Sequence, residues 1–114
     1  MDAAVIYKWE STVPGREADA LQLMRDTNDF CDKAIADGKI TSYDWFLSAG
    51  LGWNLLVVRG AKEPLDALMA TPELVMLNMR SGLINEGLEF GYFACGDSIE
   101  LTMGAFGAAV EQLT

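Results

Sequence analysis

The chain has no histidine among its 114 residues. No Ser-His-Asp triad, no Cys-His pair and no imidazole base can therefore be assembled from it. Cysteine is nearly as scarce. Cys31 and Cys95 fall in different predicted elements and match no metal or redox spacing, so both read as buried thiols acting as small apolar residues. Carboxylates are the only abundant metal-ligand type, yet those on the first predicted helix scatter around its solvent face and none has EF-hand spacing, so no metal site is expected. The stretch Ser48-Ala49-Gly50-Leu51-Gly52-Trp53 is glycine-rich but lacks the lysine and following helix of a phosphate loop.

Bases are also few. Eight Lys+Arg stand against 17 Asp+Glu, a net charge of −9. That field repels phosphate backbones and anionic headgroups, so neither nucleic acid nor a membrane is an expected partner. No apolar run reaches the roughly 18 residues of a transmembrane helix. The start Met1-Asp2-Ala3-Ala4 lacks the basic and apolar regions of a secretory signal, so a cytoplasmic protein is expected. With 51% hydrophobic and 22% charged residues, the composition is that of a folded protein, and residues 1–114 read as a single domain.

What the chain does contain is an ordered change of hydrophobic period. Residues 3–10 alternate Val5, Tyr7, Trp9 against Ala4, Ile6, Lys8, Glu10, a first strand that Pro14-Gly15 ends. Residues 16–37 carry the stripe Leu21, Met24, Asn28, Cys31, Ile35 with acids and amides opposite, an amphipathic helix stopped at Gly38. Asn28 inside that stripe reads as a satisfied buried amide. Residues 40–48 and 53–59 form a hairpin across the turn at 49–52. A second helix runs from Lys62, tolerates Pro64 in its first turn and restarts at Thr71-Pro72-Glu73, with Thr71 as N-cap.

Leu74, Val75, Met76, Leu77 and Met79 cover more than one face of that helix, which predicts that it meets two neighbours. Met24, Met69, Met76, Met79 and Met103 read as core packing. Residues 88–95 make the fourth strand. In 97–114, Asp97 and Glu100 are spaced as a capping box, and Ile99, Met103, Phe106, Val110 and Leu113 step along one helical face. A strand through Ile99, Leu101 and Met103 is the competing reading, because Gly104 and Gly107 each weaken a helix by about 1 kcal/mol.

The order βαββαβ with right-handed crossovers is an α+β, ferredoxin-like arrangement: a four-stranded antiparallel sheet with two helices on one face. Neither parity of the strands is polar enough to meet water alone, so the second face calls for cover, and a second copy of the same sheet is the simplest cover. Over residues 3–95 the chain resembles the dimeric α/β-barrel superfamily of ferredoxin-like proteins, in pattern the antibiotic-biosynthesis monooxygenase-like members. The likeness rests on element order, the turn Val13-Pro14-Gly15-Arg16-Glu17 and the helix break Ala70-Thr71-Pro72-Glu73. It implies a homodimer, with a site in the lumen between two sheets and a short C-terminal helix as an extension. The haem-binding members use an axial histidine that this chain cannot supply, so no cofactor is expected.

Polar residues on strands buried on both faces must find partners, and such groups often line a pocket. They are Lys8 and Glu10 on the first strand, Ser42 and Asp44 on the second, and Asn54 and Arg59 on the third. For Lys8, Glu10 and Arg59 the alternative is a place at strand ends, where they reach water or form rim ion pairs. The less aromatic parity, with Lys8, Ser42 and Asp44, is assigned to the lumen, and Tyr7, Trp9, Tyr43 and Trp45 to the space under the helices. The opposite assignment would make Tyr43 and Trp45 the wall of the site. Asp44 is the candidate general base, because desolvation between Tyr43 and Trp45 would raise its pKa, with Lys8 or Arg59 stabilising negative charge. Its alternative role is a solvent-facing guard on an edge strand.

Two functions follow as expectations. One is a homodimer that holds a small apolar or aromatic organic molecule in the lumen, in enzymatic form a cofactor-independent monooxygenase, cyclase or isomerase. The other is a non-catalytic binding module with a lumen filled by side chains.

Overall fold

The structure, a computed structural model, describes residues 2–50 and 52–114; Met1 and Leu51, the latter within the expected 49–52 turn, lie outside them. Strand β1 (Asp2–Trp9) is central in a four-stranded antiparallel sheet of order β3-β4-β1-β6, with β3 (Ser42–Phe46), β4 (Asn54–Ala61) and β6 (Glu89–Ala94). A second ladder pairs β2 (Ser11–Thr12) with β5 (Asn85–Glu86). The helices are α1 (Glu17–Ala36), α2 (Lys62–Met69), α3 (Pro72–Ile84) and α4 (Ser98–Leu113). The fold class, α+β and ferredoxin-like, is the one the hydrophobic periods indicate.

Local signals act where the residues place them. Gly38 takes φ 71°, the left-handed conformation that ends α1. Thr71 Oγ1 accepts from Leu74 N at 3.4 Å and caps α3, with Pro72 at its first turn, where a missing N–H leaves no bond unmade. This cap divides the predicted second helix into α2 and α3.

Register sets the two faces of the sheet, because directly opposed residues share a face. Val5 opposes Val58 and Tyr92, Tyr7 opposes Leu56 and Phe90, and Trp45 opposes Leu56. This face meets the helices: Val5, Tyr7, Leu56 and Val58 join Cys31, Leu65, Leu68 and Leu74 in one buried cluster, with Trp9, Tyr43 and Trp45 packed against it. On the other face Lys8 opposes Leu55 and Glu89, Arg59 opposes Ala4 and Ser42, and Asp44 opposes Val57. Phe46 and Phe93 on that face are about half exposed.

Three expectations are corrected or narrowed. α3 does meet more than one neighbour, α1 on one side and α2 and β5 besides, but its apolar surface is only partly covered: Leu74 is buried, whereas Val75, Met76 and Met79 face solvent. Of the methionines read as core, Met76, Met79 and Met103 are exposed, because the helix faces that carry them have no layer above them. The capping box at Asp97 does not form. Asp97 Oδ1 instead accepts from Asp2 N at 2.6 Å, so the carboxylate that would cap its own helix ties that helix to the start of β1.

Residues 98–113 are helical, which excludes the added strand. Ser98, the one polar residue buried among those described, roots α4: its Oγ accepts from Cys95 N at 3.0 Å and lies 2.6 Å from the Asp2 carbonyl oxygen. Beyond this root the helix leaves the body, and the molecule measures 54 × 34 × 24 Å.

Candidate functional site

A cavity of about 530 Å³ lies between the helix-covered face of the sheet and the helices α1 and α3. That volume is within the usual range for small-molecule sites. Its floor is sheet residues Tyr7, Trp9, Trp45 and Leu56, and its roof includes Met24 and Phe30 of α1 and Leu77 of α3. The mouth opens between Leu21 on α1 and Leu47 after β3, both 58% exposed.

The polar groups in this wall are almost all neutral. Asn78 and Ser81 project from α3, Thr27 from α1 and Thr12 from β2, and Asn85 Nδ2 donates to Ser81 Oγ at 3.1 Å. Trp45 Nε1 donates to Asn28 Oδ1 at 2.8 Å, which ties β3 to α1 and fixes the indole against the cavity. Asn28, expected as a satisfied buried amide, is thus paired but only half-buried. Trp9 meets Trp45 edge-on at 6.0 Å, and Tyr7 stacks on Phe90 at 5.2 Å. Burial pushes the Tyr7 phenol up to about 12, with the neighbouring Asn78 side chain opposing part of that shift. Burial likewise pushes the Cys31 thiol up to about 12. Both stay protonated at neutral pH, so Tyr7 is a hydrogen-bond donor and Cys31 an inert thiol. Among the described residues of the lining Glu17 is the one charged group, at the exposed start of α1.

Outside the cavity, Arg80 on α3 and Asp26 on α1 bridge the two roof helices at 2.8 Å. Asp26 is held below the usual carboxylate range by hydrogen bonds from Gln22 and Arg80.

The eight residues singled out in the sequence divide between the two faces. Trp45 and Asn54 line the cavity. Asn54 is a local brace there: its Oδ1 accepts from Ser48 N at 2.8 Å and its Nδ2 donates to the Glu10 carbonyl oxygen at 3.3 Å. Tyr43 is on the helix face but outside the cavity lining, its hydroxyl donating to Asp32 at 2.6 Å, and that bond pushes its pKa up to about 12. Lys8, Ser42, Asp44 and Arg59 lie on the opposite face of the sheet, and exposed Glu10 follows β1. Lys8 sits 4.5 Å above the Trp53 ring. Asp44 is exposed on the edge strand β3, and its neighbours Tyr43 and Trp45 pack toward the opposite, helix-covered face, so they do not enclose it. Arg59 is exposed on the adjacent strand, and among the described residues neither it nor Asp44 forms an ion pair.

Sequence reasoning passed over Asn78, Ser81 and Asn85. Their signal was present: with Leu74 and Leu77 they follow the 3–4 spacing of one helix face, so the face aimed at the aromatic parity of the sheet turns polar toward its C-terminal end.

The fold is shared with proteins of solved structure. Rv0793 from Mycobacterium tuberculosis is 20% identical, with a TM-score of 0.60, over 87% of this chain and 99% of that one. SnoaB, a cofactor-independent oxygenase from Streptomyces nogalater, is 9% identical with a TM-score of 0.67, over 86% and 96%. A dimeric ferredoxin-like protein of unknown function from Thermobifida fusca is 14% identical with a TM-score of 0.63, over 83% and 92%. Putative antibiotic biosynthesis monooxygenases from Chloroflexus aurantiacus and Deinococcus radiodurans are also similar in structure. At these identities the likeness is one of fold, and it is the fold implied by the superfamily resemblance. No family model and no curated protein matches the chain.

Proposed function

We propose that this protein is a homodimer that binds a small, uncharged, largely aromatic organic molecule in the cavity beneath α1 and α3 of each copy. One observation carries the reading: a half-open cavity of about 530 Å³ whose walls are aromatic and aliphatic, with neutral amides and hydroxyls and, among the described lining residues, no cation. A carboxylate or phosphate would enter without a charge partner, at a desolvation cost that the site does not offset. A flat neutral ring system would bury its faces against Trp9, Trp45 and Phe30 and meet donors at Tyr7 and Asn78.

The same donors define the chemistry available to the site. A protonated phenol and an amide can hydrogen-bond a carbonyl or enol oxygen and stabilise negative charge developing there, a role compatible with cofactor-independent proton transfer, cyclisation or oxygenation. The structural likeness to SnoaB supports this enzymatic form. The homodimer is supported by the second sheet face, where half-exposed Phe46 and Phe93 lie near the branched side chains Ile6 and Val57. Lys8, Ser42, Asp44 and Arg59 then belong to the contact region between copies.

The test fills the cavity from its wall. Ala20 on α1 lines it without being fully buried, so Ala20→Phe projects a ring into the ligand's space. A thermal-shift screen of neutral aromatic and polyketide-like compounds is expected to find ligands that raise the melting temperature of the wild type and leave Ala20→Phe unmoved, with the dimer intact in both. Equal stabilisation of the two proteins would place the ligand elsewhere, and a screen with no stabilising compound would refute binding of this class.

A further inference from the structure

We propose that α4 is a docking arm that seats on a second copy of this chain. The inference rests on the homodimer reading but assigns a contact separate from the sheet face.

The root of α4 is rigid. Ser98 is buried and bonded to Cys95 and Asp2, and Asp97 accepts from Asp2 N, so the helix is aimed and not merely trailing. Past that root it touches almost nothing of its own chain. Ile99, Met103, Phe106, Val110 and Leu113 are 45, 59, 63, 44 and 88% exposed. Their spacing alternates four and three residues, the seam by which one helix packs along another. A helix of 16 residues is marginal alone in water, and Gly104 and Gly107 weaken it further, so its helical state calls for a packing partner.

Size and charge identify the occupant. These five side chains expose on the order of 500 Å², and a two-fold contact that repeats the patch on both copies reaches about 1,000 Å², the size at which an interface becomes specific. An apolar seam is complementary to another of its kind, as a two-fold contact requires. The only charges on α4 are Glu100 and Glu111, with no base, which disfavours an anionic lipid surface as the alternative occupant.

The experiment uses the full chain carrying Met103→Glu and Phe106→Glu together, at exposed positions where the fold does not depend on them. Sedimentation equilibrium is expected to show a dimer dissociation constant at least a hundredfold higher than that of the wild type, with the near-UV spectrum retained and any loss of far-UV helical signal confined to the share of α4. Hydrogen exchange of the 99–113 amides in the wild type is expected to be slow in the dimer and to accelerate on dilution. A variant that dimerises as tightly as the wild type would overturn the arm and leave the sheet-face dimer standing. A wild type that stays monomeric through the micromolar range would overturn both. Binding of the wild type to phosphatidylcholine vesicles that the variant loses, with the dimer unchanged, would assign α4 to a lipid surface and overturn the proposal.

Discussion

Tyr7 offers the most direct measurement of how dry the cavity floor is. It is 7% exposed, and burial, opposed in part by Asn78, pushes its pKa from 10.0 to about 12. The unfolded chain releases this proton near pH 10, so the fold favours the neutral phenol. The resulting stability is fully present below pH 10 and is lost as pH rises toward 12. Integrated over that window, the loss is about 2 kcal/mol, a sizeable part of the roughly 5–15 kcal/mol that holds a domain folded. Urea unfolding followed by far-UV circular dichroism, repeated between pH 8.5 and 12 on wild type and Tyr7→Phe, isolates the effect. Both proteins should weaken with pH as lysines and the other tyrosines titrate, but the wild type should fall more steeply by about 2 kcal/mol. The slope is the quantity to compare, because Tyr7→Phe also removes a hydroxyl at neutral pH. Tyr43 titrates high as well because of its bond to Asp32, but most of that effect is screened by water and it is common to both proteins. Parallel slopes would refute the reasoning, since they would mean that solvent already reaches the Tyr7 hydroxyl.

Two further outcomes follow from the geometry. Asn28→Leu removes the acceptor of the Trp45 indole N–H and leaves a donor unpaired between α1 and β3; it is expected to cost about 1–3 kcal/mol in denaturant unfolding and to weaken ligand binding, whereas equal stability would show that the bond contributes nothing. Asp44→Asn, on the sheet face away from the cavity and in the proposed contact region between copies, is expected to leave ligand affinity unaltered, with sedimentation and light scattering reporting any change in association; loss of turnover with the dimer intact would instead assign Asp44 the role of base.

The neutrality of the cavity has a consequence for where chemistry can occur. The titratable groups deepest in the wall, Tyr7 and Cys31, are both pushed toward their protonated forms, and the carboxylate of Glu17 stands at the exposed start of α1. A molecule bound as proposed would therefore meet donors at Tyr7 and Asn78 and, among the described lining residues, a carboxylate only at Glu17.

The short strands β2 and β5, and the choice of the parity with Tyr7, Trp9, Tyr43 and Trp45 to lie beneath the helices, came only with the tertiary structure. The sequence by itself determined the core order strand, helix, strand, strand, helix, strand, the end of α1 at Gly38 and the break at Thr71-Pro72. Each depends on residues within a few positions of one another: a period of two or 3.6, a missing Cβ, a missing N–H. The location of the cavity was decided only in three dimensions. Strand parity names two faces, but a cavity arises where side-chain volumes fail to fill the gap between layers, and that gap depends on how α1 and α3 sit over the sheet. Asn78 and Ser81 become site residues for the same reason, as helix positions that face Tyr7 only after packing. Asp97 shows the limit most plainly. Its neighbours spell a capping box, yet its carboxylate is taken by the backbone of Asp2, 95 residues away, a partner that no local pattern announces and that only the pairing of β1 with β6 brings within reach.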